Sequence, residues 1–279
     1  MKRATLRNPV HLPPALGTLS RRSLNVALMP AEMGRGIWVR RADLDVEWPV
    51  SLEHLVPAVH CTAIGSADTS VSYVEHALAA LCAARISDAL IVTDGPELPL
   101  FDGSALTWWE VLKTAGRAQS QEVWEPLVLP NAVYVVSGSG AIVGLPAETP
   151  SVAYVLDYQE PLIGRQWARF TPDADFGDEL APARTFATAD QVREMLGQEE
   201  IPSEVEALSV VIYDDHVSAA QPLPHAFARH KLVDLIGDLF LCGRPIIGQI
   251  VALRTGHGDN HAFLGEVLRA ASQSTRADR

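Results

Sequence analysis

Twice along the chain a run of short β-type segments gives way to a helix, a strand and a second helix, and this repeated order narrows the folds open to it. In the first half "SLNVALMP" and "GIWVRRADL" read as strands, "YVEHALAALCAA" as a helix, "DALIVTDG" as a strand and the stretch around "WWEVLKTAG" as a helix. In the second half "AVYVVSGSGAIVGLP", "SVAYVLDY" and "WARFTP" alternate as strands. A helix near "TADQVREMLG" and the strand "LSVVIYDD" follow, and then "ARHKLVDLIGDLFLCG", "IIGQIVALRTG" and "HAFLGEVLRAA" repeat helix, strand, helix. Strands first and helices after them point to an α+β class built from two similar units with a ligand cleft between them. The polar, non-periodic "GRAQSQEVWEP" is the expected linker. The expected division is therefore 1–117, a linker over 118–125, and 126–272, with a disordered tail over 273–279.

With 279 residues, 48% of them apolar, each half can bury a core of its own. The formal charge of −12 argues against a non-specific grip on nucleic acid or an anionic membrane. "MKRATLRNPVHLPPALG" lacks the apolar core of a signal peptide, and no run reaches the ~20 residues of a membrane span. A soluble, cytoplasmic monomer is the expectation. Cys61, Cys82 and Cys242 are odd in number and lack C-x-x-C spacing, so they read as reduced thiols.

The helix over 228–243 carries polar groups where a core helix should have none. At 100° per residue His230, Asp234 and Asp238 fall at about 0°, 40° and 80°, one stripe opposite Leu232, Leu235, Ile236 and Leu239. Gly237 lies on the same side, where a missing side chain admits a ligand or a neighbouring element. That stripe is either a solvent-facing face with a His–Asp pair or two ligands of one ion at i and i+4.

"SVSYVEHALAAL" offers a third ligand. Ser72 and Glu75 match a capping box, which places His76 in the first helical turn. Two histidines and a carboxylate form a three-ligand zinc set that leaves a fourth position for water, with an adjacent glutamate as the usual base. Spacing alone does not bring His76 to His230. In "RTGHGDNHAFLGEVL", His257 sits between Gly256 and Gly258 in an expected strand-to-helix loop, with Asp259 or Asn260 as the helix cap. If it reaches the cleft, His257 could protonate a leaving amine, its pKa raised by Asp238. His261, in the first turn of an amphipathic helix, is expected at the surface.

Taken together, "VSYVEHALAAL", "GPELPLFDGSA", "ARTF", "RHKLVDLIGDLFLCG" and "RTGHGDNHAFL" resemble the zinc-dependent UDP-3-O-acyl-N-acetylglucosamine deacetylases of lipid A biosynthesis along nearly the whole chain. The resemblance implies two β-α-α-β domains packed as layers with the active site between them. It implies zinc, or iron(II) on the same ligands, held by His76, His230 and Asp234, with Glu75 as general base and His257 as general acid. It also implies that Asp238 supports His257, that Lys231 stabilises charge and holds the anionic nucleotide sugar, that Thr185 faces the tetrahedral intermediate, and that Phe186 lies near the substrate. "GPELPLFDGSA" reads as a shaping loop and turn around Pro99, Asp102 and Gly103.

The chain departs from that family in several places: "LSVVIYDDH" replaces an asparagine-bearing strand, "LPHAFARHK" replaces acidic residues before the metal helix, and two further changes bear on substrate recognition. The glycine-rich N-terminal stretch of the form G-x-G-x-H-x-G is replaced by "VHLPPALGTLS", where His11 and Gly17 do not restore it. In the segment bordering the acyl passage, Val192, Met195 and Leu196 form a thin apolar strip among acidic residues, which suits a shorter acyl chain or none. Two alternatives follow: a paralogous zinc deacetylase acting on another N-acetylated sugar, or a catalytically silent metal-binding relative.

Overall fold

The computed structural model describes residues 1–138 and 140–277. Its helices are α1 (Glu75–Ala83), α2 (Leu106–Ala115), α3 (Phe176–Glu179), α4 (Ala189–Leu196), α5 (Ser203–Leu208), α6 (Ala226–Leu239) and α7 (His257–Ala277). Helix and strand mix as the α+β class requires.

Two five-stranded sheets carry the fold. The first runs Val10–His11, Val26–Pro30, Ala89–Thr93, Ile37–Arg41, Val46–Pro49, and the second runs Val133–Ser137, Gly140–Leu145, Gln249–Leu253, Ser151–Asp157, Arg165–Phe170. In each, the strand that comes last in the chain enters the middle. Ala89–Thr93 lies antiparallel to Val26–Pro30 and parallel to Ile37–Arg41, and Gln249–Leu253 lies antiparallel to Gly140–Leu145 and parallel to Ser151–Asp157. The two sheets thus share strand order and direction, each with a helix before its central strand (α1, α6) and one after it (α2, α7).

Helix α6 packs on the inner side of the second sheet and against α1. Leu232, Val233, Leu235 and Leu239 are buried, and so are His230, Asp234, Gly237 and Asp238, so α6 is enclosed on every side. The alanine-rich α1 comes close enough that a Cβ on Gly237 would lie 2.1 Å from the carbonyl oxygen of Glu75. The small residue therefore admits a neighbouring backbone. Gly237→Ala is expected to lower stability by about 1–3 kcal/mol through overpacking, and to weaken divalent-metal binding because it separates the helices bearing His76 and His230. Urea unfolding and metal titration check this; wild-type values in both would mean that the close approach is not needed.

Three local expectations are corrected. The supposed linker is not a loop: Arg117–Val123 forms a strand antiparallel to Lys2–Leu6. Its polar sequence reflects a mostly exposed pairing that needs little apolar surface. The supposed tail is helical through Ala277, and Asp278 and Arg279 lie outside the described residues. Helix α1 has no capping box: Val74 is its N-cap, no side chain caps it, and the Glu75 carboxylate turns elsewhere. Burial pushes the thiols of Cys61 and Cys82 up to about 12 and that of Cys242 to about 11, which keeps all three protonated.

Candidate active site

Helices α1 and α6 bring His76, His230 and Asp234 together. All three are buried, and one donor atom from each lies within 4.8 Å of the others. Nε2 of His76 and Nε2 of His230 sit 3.5 and 3.4 Å from the same Asp234 oxygen, Oδ1. The rings meet edge to face at 5.1 Å. The other carboxylate oxygen, Oδ2, accepts a 2.7 Å hydrogen bond from Lys231 Nζ. His230 Nδ1 lies 3.3 Å from the Ala183 carbonyl, which aims its Nε2 inward, while His76 Nδ1 is buried with no hydrogen-bond partner among the described residues.

The electrostatics favour a cation. Burial lowers His230 to about 4, so its imidazole is neutral with a lone pair to give. Burial opposes the charge on Asp234, but His230 and Lys231 outweigh it and hold the carboxyl well below its usual range. Two neutral-capable imidazoles and one carboxylate, converging and buried, fit a divalent ion of the zinc type. The solvent-facing alternative for the α6 stripe is excluded.

Around this set lie further titratable groups, Glu75, Asp238 and His257. Glu75, the first residue of α1, is buried, and burial raises its pKa. Its Oε2 accepts a 3.0 Å hydrogen bond from the Thr62 backbone N–H. His257 is the first residue of α7 rather than a loop residue. Its Nδ1–H donates to Asp238 Oδ2 at 2.8 Å, so Nε2 takes no part in that bond. Burial works against charge on His257, but Asp238 and, more weakly, Glu75 overcome it and raise its pKa to about 9. Burial likewise opposes ionisation of Asp238, and His257 and His261 more than offset it, so its carboxyl is held low.

Three members of this network, Thr62, Asn260 and His261, lie outside the sequence expectation. Thr62 Oγ1 donates to Asp238 Oδ1 at 2.5 Å and lies 3.0 Å from His261 Nε2, so one residue holds Glu75 through its backbone N–H and Asp238 through its hydroxyl. Asn260 does not cap a helix: it is buried, donates to Asp238 Oδ2 at 2.9 Å and accepts from Thr255. Asp259 does bond the Gly256 backbone N–H. His261 is not a surface residue, because its Nε2 also lies 3.3 Å from Asp238 Oδ1. Helical periodicity marks the face of α7, whereas the enclosing Thr62 segment is distant in sequence.

The loop with Asp102 and Gly103 has the shaping role expected of it. Asp102 Oδ1 caps Ser104, the Asp102 carbonyl accepts from Arg184, and the Gly103 carbonyl accepts from Thr185 N–H at 2.7 Å. Gly103 has φ +88°, and a Cβ there would meet Leu208 O at 2.3 Å. Thr185 is thereby fixed two residues beyond Ala183, whose carbonyl orients His230. Phe186 packs on Phe227 at 4.6 Å and edge-on to His230 at 6.3 Å, so it walls the site. In the altered N-terminal stretch, the backbone N–H groups of Leu19 and Ser20 are gripped by the buried Glu97. Val192 and Leu196 pack with Ile201, Val205 and Val211 in a small separate core, and Met195 alone of the strip is exposed.

Residues 3–269 match the sequence model of a family described as UDP-3-O-acyl N-acetylglycosamine deacetylase. Among curated relatives, a UDP-3-O-acyl-N-acetylglucosamine deacetylase of Myxococcus xanthus is 35% identical over 91% of this chain and 82% of its own length. One from Leptospira biflexa is 32% identical over 91% of this chain and 86% of its own length, and one from Chlamydia felis is 31% identical over 95% and 96%.

Proposed function

This chain belongs to the UDP-3-O-acyl N-acetylglycosamine deacetylase family, and we infer that it hydrolyses the N-acetyl group of UDP-3-O-acyl-N-acetylglucosamine in lipid A biosynthesis. The observation that carries the inference is the buried His76, His230, Asp234 set with a carboxylic base on one side and a charged His–Asp pair on the other. We read the chain as two similar units, 1–117 and 126–272, packed as layers with the site between them; the common strand order of the two sheets supports this. A nucleotide-sugar substrate supports a cytoplasmic place of work, and among the described residues no helix is long and apolar enough to cross a membrane.

His76, His230 and Asp234 would hold zinc, with iron(II) as the other candidate. Bound there, the metal supplies a Lewis acid that polarises the amide carbonyl and lowers the pKa of water. Glu75 takes a proton from the attacking water, a task its buried carboxylate suits because its pKa is raised. Water oxygen adds to the acetyl carbonyl carbon. Lys231, with N–H groups beyond the one on Asp234, and Thr185 donate to the oxygen that gains charge. The C–N bond then breaks as His257 gives its Nε2 proton to the departing nitrogen, leaving acetate and a free 2-amino sugar. Asp238, held by Thr62 and Asn260, keeps His257 charged and correctly turned.

One observation favours a shorter acyl chain: Val192 and Leu196 are taken up by the small core beside α5. Acetate release, followed by mass spectrometry from UDP-N-acetylglucosamine with no acyl group and with chains of increasing length, tests both points. Release from acylated substrate with an optimum at short length is expected. Metal-loaded protein releasing no acetate from any acylated form would defeat the assignment.

A further inference from the structure

The Asp238 side chain has no exposure to solvent and meets a donor in every direction. Its Oδ1 accepts from the Thr62 hydroxyl at 2.5 Å and lies 3.3 Å from His261 Nε2. Its Oδ2 takes His257 Nδ1 at 2.8 Å and Asn260 Nδ2 at 2.9 Å. A carboxylate offers about four lone-pair sites, so two donors on each oxygen fill it. Three of the four donors come from one face of α7, where positions 257, 260 and 261 stand at i, i+3 and i+4. The other, Thr62, stands just before the strand Ala63–Gly65 and is itself fully buried.

Proton positions follow from these contacts. The Thr62 hydroxyl has one proton and three atoms within reach of it: Asp238 Oδ1 at 2.5 Å, His261 Nε2 at 3.0 Å and His257 Nδ1 at 3.3 Å. The short bond to a buried carboxylate is the strongest of these, so the proton points at Asp238. The lone pairs of Thr62 Oγ1 then face the imidazoles. His257 Nδ1 directs its own proton to the nearer Asp238 Oδ2. His261 Nε2 meets two acceptors, the Thr62 oxygen and Asp238 Oδ1, so it must carry a proton. The opposite arrangement, Thr62 donating to a bare Nε2, would take the close donor from Asp238 Oδ1 and set a nitrogen lone pair against that oxygen. Leaving a buried carboxylate short of donors makes this the costlier choice.

We propose that His261 is a positioning residue for the reaction: as the Nε2–H form it locks the Thr62 hydroxyl onto Asp238 and so keeps that carboxylate turned to His257. This role rests on the reading of His257 as general acid. The two histidines divide the work, since His257 bonds Asp238 directly while the nearer contact of His261 is Thr62. Thr62 also holds Glu75 Oε2 through its backbone N–H at 3.0 Å. Fixing this one threonine therefore steadies both members of the acid–base pair. Without a donor at position 261, the hydroxyl is free to turn and Asp238 Oδ1 keeps one partner instead of two.

Nitrogen-15 NMR of the full zinc-loaded chain, labelled at histidine, reads the proton, and steady-state acetate release reads the role. His261 Nε2 is expected to be protonated throughout about pH 6–9, whatever the state of its Nδ1. His261→Leu fills the space but donates nothing, and should lower kcat about 10-fold with KM and metal content little changed. His261→Gln keeps an N–H at the reach of Nε2, and should recover most of that loss. A His261 with bare Nε2 and a proton on Nδ1 overturns the proposal. So does His261→Leu with wild-type kcat, or leucine and glutamine variants equally impaired, which would make the residue a space filler. The NMR signal needs no turnover: an inactive wild type with the Nε2 proton in place would defeat the deacetylase assignment, and with it the role in the reaction, but not the hydrogen-bond arrangement.

Discussion

Glu75→Gln is expected to lower kcat by about 10²–10⁴-fold, the usual contribution of a positioned base, while metal content and folding stay at wild-type values. That range corresponds to about 3–5 kcal/mol of transition-state stabilisation. The substitution separates roles because glutamine keeps an oxygen to accept the Thr62 N–H at a site where the carboxylate now does so. It removes only the capacity to take a proton. Glu75 is next to His76 but is not among the three converging donors, so an amide there should not release the metal. Steady-state acetate release with metal analysis of the same sample decides it. A variant within tenfold of wild type would place the base elsewhere; one that lost both turnover and metal would make Glu75 a ligand.

The α6 stripe was readable from sequence because helical periodicity is local: Leu232, Leu235 and Leu239 define a face, and His230, Asp234 and Asp238 stand out from it. The meeting of His76 with His230 was not readable from spacing. It depends on α1 and α6 touching backbone to backbone at Gly237, a contact between residues more than 150 positions apart. Family resemblance across five motifs supplied that step. Thr62 is not legible from spacing for the same reason, since it acts on Asp238 across 176 positions and sits in no periodic segment. His261 has the pattern of a surface residue because it is polar and in a helix's first turn, whereas Thr62 and Asp238, both distant in sequence, enclose it. Arg117–Val123 was misread as linker because a strand with so many exposed side chains needs little apolar signature. Sequence pattern reports burial within an element well and pairing between distant elements poorly.

Asp238→Asn should shift the alkaline limit of activity more than any other single change near the site. A general acid works only while it holds its proton, and the His257 pKa, raised to about 9, keeps the imidazole charged at neutral pH. Wild-type kcat/KM should therefore fall as pH rises through about 9. Burial alone would push His257 down; the Asp238 carboxylate, 2.8 Å from Nδ1, is the main influence that reverses it. With that charge gone, the limb should move toward or below the ordinary imidazole value of about 6.5, so that most of the enzyme is in the wrong protonation state at pH 7.5. The amide would also present an N–H₂ group to donors, since Thr62 and His261 contact one oxygen of Asp238 while His257 and Asn260 contact the other. Some loss of stability is expected from that mismatch. Lost folded protein lowers the amplitude of a pH profile without moving its limbs, so limb position isolates the electrostatic effect. A kcat/KM profile of Asp238→Asn with its alkaline limb still near 9 would show that the His257 proton is held by something other than this carboxylate.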